Sequence, residues 1–187
     1  MRRLIIGMTG STGAIFGVRM LEALKASDIE SHLIISKWAQ RTLEHETRYS
    51  VEQVRGLASV VHSQGDMGAS ISSGSFKTAG MLVIPCSIKT ASSIAYSFNA
   101  NLLTRAADVC LKEKRRLVLV VRETPLHLGH LRTLTQLAEI GAVILPPVPG
   151  MYARPKTVDD VVAQTVGKAL DQFGIDAKLF TRWAGSE

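Results

Sequence analysis

The chain begins with an apolar segment that runs directly into a turn rich in glycine and hydroxyl groups. Leu4-Ile5-Ile6 has the composition of a buried strand, Gly7 to Gly13 (GMTGSTG) forms the turn, and an apolar-faced helix follows at once. A strand, a flexible turn and a helix N-terminus in this order direct backbone N–H groups and the helix dipole at a bound anion. The spacing is GxxGxxG and not the GxGxxG of dinucleotide folds. The turn therefore predicts either a phosphate site or a plain tight turn.

Short apolar segments alternate with amphipathic ones along the chain, which is typical of an α/β protein. Several of the short segments are continuously apolar, as strands buried on both faces of a parallel sheet are. The predicted strands are 3–8, 31–36, 80–85, 117–121 and 142–145. The predicted helices are 13–26, 38–47, 51–58, 89–97, 100–114, 128–140 and 157–173. We predict a doubly wound, mainly parallel sheet in a single domain of residues 1–187, with an irregular excursion at 59–80.

The charge balance is basic, with 22 Lys and Arg against 16 Asp and Glu and a formal net charge of +6. These cations are scattered singly, apart from a run at 112–116 that suits the C-terminal end of a helix. No aromatic residues interleave with that run, as they would in a single-strand binder. We therefore expect no nucleic-acid partner and favour small phosphorylated ligands.

The sequence has no apolar run of the roughly 18 residues that a membrane span needs, and no signal-type segment at its N-terminus. We expect a cytoplasmic protein without a membrane span. Its two cysteines, Cys86 and Cys110, form no Cys-x-x-Cys pair, and its five histidines have no metal-ligand spacing. We expect no bound metal.

Polar clusters follow every predicted strand, and the carboxyl ends of parallel strands meet at one edge of a sheet. We therefore expect one site at that edge. A dinucleotide protein would place an acid after its second strand to hold the ribose hydroxyls, whereas this chain has Ser36 there. This favours a mononucleotide such as FMN over NAD. The turn Ser87 to Thr90 is a second flavin or anion contact or, in part, a simple helix cap.

Several charged and aromatic residues have both a functional and a structural interpretation. Arg105 and Lys112 are seven residues apart at the border of one helix face, and Lys168 borders the apolar stripe of the last helix. Such border cations commonly extend from the core edge into solvent. Glu123, next to Arg122, is either a structural ion-pair partner or a tuned acid or base.

Two further positions leave the same choice open. Glu46, near the end of helix 38–47, is either a solvated surface group or a functional carboxylate, and Tyr152 is either an aromatic wall or an anchor of its proline-rich loop.

Taken together, the motifs of this chain resemble the flavin prenyltransferase (UbiX) family over nearly the whole length and in order. The motifs are GMTGSTGA at 7–14, Ser36-Lys37, SSGS at 72–75, Pro85-Cys86-Ser87, RAAD at 105–108 with LKE at 111–113, RETP at 122–125 and PGMY at 149–152. Each motif is weak alone, and the combination is specific.

The resemblance implies a flavodoxin-like Rossmann fold and a homo-dodecamer with sites at subunit interfaces. It implies transfer of the dimethylallyl group of dimethylallyl phosphate to reduced FMN, with bonds formed at flavin N5 and C6 and without a metal. The product, prenylated FMN, is the cofactor of UbiD-type decarboxylases in ubiquinone biosynthesis or aromatic-acid breakdown.

The resemblance also implies roles for individual residues. Positions matching the family's flavin contacts are Gly10, Ser11, Thr12, Ser36, Ser87, Ile88, Lys89, Thr90 and Arg122. Positions matching its contacts to dimethylallyl phosphate are Tyr152 and Lys168, with Arg105, Lys112 and Glu123 around the phosphate and Trp183 near the prenyl group. Thr12 and Glu46 match a hydroxyl–carboxylate pair that assists proton transfer. Glu123 is the expected general acid.

Two positions depart from the family pattern. Thr12 stands where Ser is common, which keeps the hydroxyl but stiffens the rotamer. Lys168 stands where Arg is common, which replaces a bidentate fork with a point charge. The alternatives are a related FMN-dependent cysteine decarboxylase, whose catalytic His and Asn motifs are not found in the sequence, and a non-enzymatic FMN carrier.

Overall fold

A six-stranded, wholly parallel sheet forms the centre of the computed structural model, which describes residues 2–185. The strands are β1 (Arg2–Met8), β2 (Ile29–Ile35), β3 (Val60–His62), β4 (Gly80–Cys86), β5 (Arg116–Val121) and β6 (Ala142–Ile144). Their order is β3-β2-β1-β4-β5-β6. Apart from the edge strand β3, this is the flavodoxin-like order, so the predicted fold class is confirmed.

Among residues 2–185, seven α-helices connect and cover the strands. They are α1 (Ala14–Lys25), α2 (Lys37–Glu46), α3 (Val51–Arg55), α4 (Ile88–Ala95), α5 (Leu102–Lys112), α6 (Leu128–Glu139) and α7 (Val158–Asp171). Each corresponds to a predicted helix, with ends shifted by up to three residues. Capping side chains define several N-termini: Thr157 and Asp160 form a reciprocal capping box at α7.

The core has two layers because the strands are apolar on both faces. Side chains of α1, α2, α3 and α7 pack with Ile6, Met8 and Leu33 on one face of the sheet. Side chains of α4, α5 and α6 pack with Ile5 and Ile34 on the other. Alternation along β1 and β2 therefore sends successive side chains to opposite layers.

The segment 59–80 is less irregular than predicted. It contains β3, which pairs in parallel with β2 through His32 and Val60, and a short 3-10 turn at Ser70–Ser72. The prediction of an unstructured excursion was wrong at β3. A three-residue strand at a partly exposed edge has too few residues to show a hydropathy period.

No helix among residues 2–185 is long and apolar enough to cross a membrane.

Both cysteines are fully buried, Cys86 in β4 and Cys110 in α5. Burial raises the pKa of each thiol to about 12, so at pH 8 roughly one in 10,000 is a thiolate. We expect a thiol-alkylating reagent to leave the folded protein unlabelled and to label both cysteines once the chain is unfolded in guanidinium. Rapid labelling of the native protein, followed by mass spectrometry, would contradict this burial.

Candidate functional site

The main cavity lies at the carboxyl edge of the sheet, where the chain reverses strand order between β1 and β4. Ligands of open α/β sheets bind at this position, because the loops that leave two neighbouring strands separate to opposite sides. Here β1 leads into the Gly-rich turn at 9–13, and β4 leads into the turn that begins α4 at Ser87.

A buried threonine connects the two turns. The Thr9 hydroxyl donates to the Pro85 carbonyl oxygen at 2.9 Å and accepts from the Ser87 backbone N–H at 2.7 Å. Thr9 is only 3% exposed, so these bonds are shielded from water. The Arg122 backbone N–H donates to the Cys86 carbonyl oxygen at 3.0 Å. This bond holds the end of β5 beside the turn that follows β4.

The cavity has a volume of about 410 Å³, within the usual range for small-molecule sites. Its lining residues come from the ends of β1, β2 and β4, the segment after β3 and the first turn of α5. They are Thr9, Gly10, Ser36, Lys37, Trp38, Gln64, Ser87, Lys89, Thr90, Ser93, Asn101 and Thr104. Two of them are cationic and none is acidic, so the lining favours an anionic ligand.

Most of the predicted flavin contacts meet at this cavity. Gly10, Ser36, Ser87, Lys89 and Thr90 line it, which bears out the expectation that separate strand ends converge. Of the others, Ser11 and Thr12 belong to the same Gly-rich turn, Ile88 begins α4, and Arg122 follows β5. These four do not line the cavity of the described chain.

The hydroxyl groups of the cavity also cap helices. Ser36 Oγ accepts from Ala39 N–H at 3.1 Å at the start of α2, and Ser87 Oγ accepts from Thr90 N–H at 3.3 Å at the start of α4. The capping interpretation of the Ser87 turn is therefore correct, Ser36 caps α2 in the same way, and both caps are compatible with binding. A hydroxyl that accepts one bond can still donate its own proton. Ser87 donates to Thr90 Oγ1, which leaves the Thr90 proton for a ligand.

Two features of the Gly-rich turn fit a bound polar molecule. Ser11 Oγ is shielded from solvent and has no hydrogen-bond partner in the described chain. A buried hydroxyl of this kind costs free energy unless it is paired, and a ligand can pair it. At Gly10, a Cβ would lie 2.4 Å from Trp38 Cβ, so only glycine allows this approach of the turn to α2.

Two backbone N–H groups at the N-terminus of α1 are already paired within the chain, whereas the sequence suggested that they would face an anion. Glu46 Oε2 accepts from Gly13 N–H at 2.8 Å and from Ala14 N–H at 3.0 Å. The carboxylate is exposed but acts as a cap supplied from another helix, since Gly13 has no capping side chain. The hydroxyls and lysines of the cavity are therefore further groups that can hold an anion.

A second group of predicted residues lies along α5. The Arg105 Nε–H donates to the Ser72 carbonyl at 3.2 Å, and Arg105 pairs with Asp108 at 3.1 Å. Two turns of helix after Arg105 and on the same face, Lys112 pairs with Glu113, which lowers the Glu113 pKa. The loop at 72–75 thus lies against the two cations that the sequence placed at the helix border.

The carboxylate of Glu123 is partly exposed, just after β5. Its Oε1 accepts from Thr124 N–H at 3.2 Å. Within residues 2–185, Glu123 forms no ion pair, so a structural ion pair with the neighbouring cations of one chain is not supported.

A third group lies between α7 and the C-terminal segment. The rings of Tyr152 and Trp183 meet edge to face, with centroids 5.8 Å apart. The loop before Tyr152 is fixed by Gln164 of α7, whose Oε1 accepts from Gly150 N–H at 2.6 Å. Lys168 is exposed and lies one helical turn after Gln164 on the same face of α7. It is therefore on the side of the helix that holds the loop before Tyr152.

Thus the predicted residues form three groups in one chain. None of Arg105, Lys112, Glu123, Tyr152, Lys168 and Trp183 lines the cavity described above. The sequence suggested one shared pocket, and a single copy of the described chain does not form it.

Seven of the twelve lining residues were not among the predicted flavin contacts. Thr9 precedes Gly10, Lys37 and Trp38 follow Ser36, and Ser93 lies one helical turn after Lys89, so their position was a usable signal. Gln64, Asn101 and Thr104 come from the segment after β3 and from the start of α5, which no strand-end rule would have selected.

Replacing Thr9 with Val should weaken FMN binding about 10-fold and lower the free energy of unfolding by roughly 1–3 kcal/mol, because the buried Ser87 N–H loses its acceptor. Thr9→Ser keeps the hydroxyl and is the matched control. Equilibrium dialysis with FMN and urea unfolding measure the two effects. Equal FMN affinity of the two variants would show that this bond does not hold the cavity in shape.

Comparisons with known proteins were made over the whole chain. The family model described as Flavoprotein matches residues 1–170. The curated flavin prenyltransferase UbiX of Escherichia coli (strain K12) is 59% identical over 189 residues, which cover 100% of both chains.

Two solved structures superpose closely. The crystal structure of AnUbiX (PadA1) in complex with FMN and dimethylallyl pyrophosphate matches with a TM-score of 0.98 and 49% identity, covering 100% of this chain and 99% of the other. The dodecameric FMN-dependent Ubix-like decarboxylase from Escherichia coli O157:H7 matches with a TM-score of 0.96 and 49% identity, covering 98% and 100%.

Proposed function

The chain belongs to the flavin prenyltransferase (UbiX) family, and we propose that it transfers the dimethylallyl group of dimethylallyl phosphate to reduced FMN. The observation that carries this proposal is the match of the whole chain to a relative bound to FMN and dimethylallyl pyrophosphate. The product is prenylated FMN. We propose residues 1–187 as one catalytic domain.

The cavity between β1 and β4 is the proposed FMN site. Ser36, Thr90 and the unpaired Ser11 hydroxyl supply donors, and Lys89 supplies a positive charge. Ser87 and Ile88 hold the start of α4, and Arg122 is tied to the same turn through Cys86. These donors suit phosphate and ring-edge oxygens, and no acidic side chain is available to grip a second ribose. Bound reduced FMN supplies the nucleophile of the transfer.

Thr12 and Glu46 flank the Gly-rich turn, and their proposed role is to take up a proton. Both capping bonds use Glu46 Oε2, so Oε1 of the same carboxylate is available to a further donor within the described chain. The cap also fixes the carboxylate beside Thr12. A proton acceptor held in place in this way loses little conformational freedom during the reaction.

Breaking the carbon–oxygen bond of dimethylallyl phosphate leaves the electron pair and negative charge on the phosphate. Arg105 and Lys112 are the proposed cations that stabilise this charge, and Glu123 the acid that protonates the departing phosphate. Asp108 and the Ser72 carbonyl orient Arg105 in advance, so little reorganisation is needed when the charge develops.

Tyr152, Lys168 and Trp183 are proposed to hold the other side of the donor. The edge-to-face aromatic pair offers an apolar wall that excludes water from a dimethylallyl cation and steadies it through the ring faces. Lys168 contributes a point charge to the phosphate.

We further propose that subunit assembly completes the site, because one chain keeps the three groups apart. A homo-dodecamer, the form of the structural relative, would bring groups from different copies together. The exposed apolar side chains of Leu126, Leu128 and Leu131, close to Glu123 in the chain, support an interface there, since water-exposed leucines are costly.

The prenylated flavin has no use in the transfer itself, so a second protein must receive it. We propose a UbiD-type decarboxylase as the recipient and the cytoplasm as the place of reaction.

Phosphate release tests the proposal. Inorganic phosphate should appear from dimethylallyl phosphate only when reduced FMN is present, in amounts equal to the flavin consumed. Release without flavin would indicate a phosphatase and overturn the proposal. Supplying dimethylallyl pyrophosphate in a parallel reaction shows whether the chain also uses that donor.

Replacing Lys168 with Ala should raise the KM for dimethylallyl phosphate about 10-fold and leave FMN affinity unchanged, because one charge-assisted hydrogen bond to the phosphate is lost. Lys25→Ala, the same change at the far end of α1, is the control. Steady-state kinetics measure the effect, and an unchanged KM would remove Lys168 from the donor site.

A further inference from the structure

Trp38 is an exposed aromatic residue at the rim of the proposed FMN cavity. It lies in the first turn of α2, lines the cavity and remains 64% exposed. An indole ring presents a large apolar surface, and leaving it in water is unfavourable. Covering this ring with a bound molecule would therefore be favourable.

The local structure holds this ring at the cavity. Gly10 packs directly against the Trp38 Cβ and backbone, and the Ser36 cap fixes the turn from which Trp38 projects. The Arg41 guanidinium lies over the indole with its carbon 5.1 Å from the ring centroid. This cation covers one part of the ring, and among residues 2–185 no other cationic or aromatic group stacks on it.

We propose that Trp38 is an additional binding residue for the flavin: bound FMN packs against the indole at the rim of the cavity. The inference rests on the proposed FMN site. The observations behind it are separate from that proposal: Trp38 remains 64% exposed although Arg41 covers part of its ring, glycine at position 10 lets the Gly-rich turn approach it, and it forms one wall of the cavity. FMN has a planar, weakly hydrated ring system with a chain attached to it. Packing either part against the indole removes apolar surface from water, which favours binding.

Hydroxyl-radical footprinting reports directly on the exposure of the ring. In the flavin-free protein, Trp38 should be oxidised readily, and saturating FMN should reduce its oxidation about 5-fold or more. Tyr96, 69% exposed at the end of α4 and outside the cavity, is the internal control and should not change. Strong protection of Trp38 already without FMN would mean that a second copy of the chain covers it, which would overturn the inference.

Binding measurements on variants complete the test. Trp38→Ala should raise the FMN dissociation constant about 10-fold, and Trp38→Phe by a smaller factor, because a smaller aromatic ring is retained. Tyr96→Ala should leave it unchanged. If the parent and Trp38→Ala proteins bind FMN equally well, the proposed role of Trp38 is overturned and the proposed function is not. A parent protein that binds no FMN would instead overturn the proposed function.

Discussion

Glu123→Gln is expected to lower the turnover rate by about 10²–10⁴-fold while FMN remains bound with unchanged affinity. The reason is that Gln keeps the shape and hydrogen-bonding capacity of Glu but cannot deliver a proton to the departing phosphate. In one chain, the carboxylate accepts from Thr124 N–H and forms no ion pair among the described residues, so little folding energy depends on its charge. Single-turnover phosphate release at saturating FMN and donor isolates the chemical step.

Glu139→Gln, the same change on the exposed end of α6, controls for the loss of one surface charge. Comparable weakening of FMN binding and turnover in the Glu123 variant would indicate that the carboxylate holds the loop after β5 rather than supplying a proton.

Arg105→Gln is expected to lower kcat/KM for dimethylallyl phosphate by about 10²-fold or more, with no change in the FMN dissociation constant. Removal of a preorganised donor from a developing oxyanion commonly costs this much. We expect this effect to be separate from cofactor binding because Arg105 contacts Ser72 and Asp108 and does not line the proposed FMN cavity.

The variant Arg105→Lys tests whether a positive charge alone is sufficient at this position. It keeps the charge but loses the planar fork held by Asp108, so it should recover only part of the activity. Arg132→Gln on α6 is the control for a lost exposed cation. If Arg105→Gln instead lowers thermal stability and FMN binding together, the side chain serves mainly to attach the 72–75 loop to α5.

The sequence was sufficient to predict the fold and the meeting of separate strand ends at one cavity, for a physical reason. Continuous apolar strands separated by helices allow few arrangements other than a covered parallel sheet, and such a sheet brings its strand ends to one edge. Gly10, Ser36 and Ser87 are far apart in the chain, and this topology alone places them in one cavity.

Other features depended on tertiary contacts that no local pattern encodes. The two bonds from α1 to Glu46 span more than 30 residues, and a glutamate near a helix end has the same local sequence whether it is solvated or capping. β3 was missed because its three residues owe their strand conformation to pairing with β2. The family resemblance supplied roles for Arg105, Tyr152 and Lys168, but their separation from the cavity became visible only in three dimensions.

The most direct test of the central claim is the mass spectrum of the flavin extracted after the protein has been incubated with reduced FMN and dimethylallyl phosphate. The proposed function predicts a flavin heavier by one C5 unit, formed over many turnovers and absent when either substrate or the protein is omitted. Recovery of unmodified FMN from a protein that binds both molecules would contradict it and leave a flavin carrier as the better description.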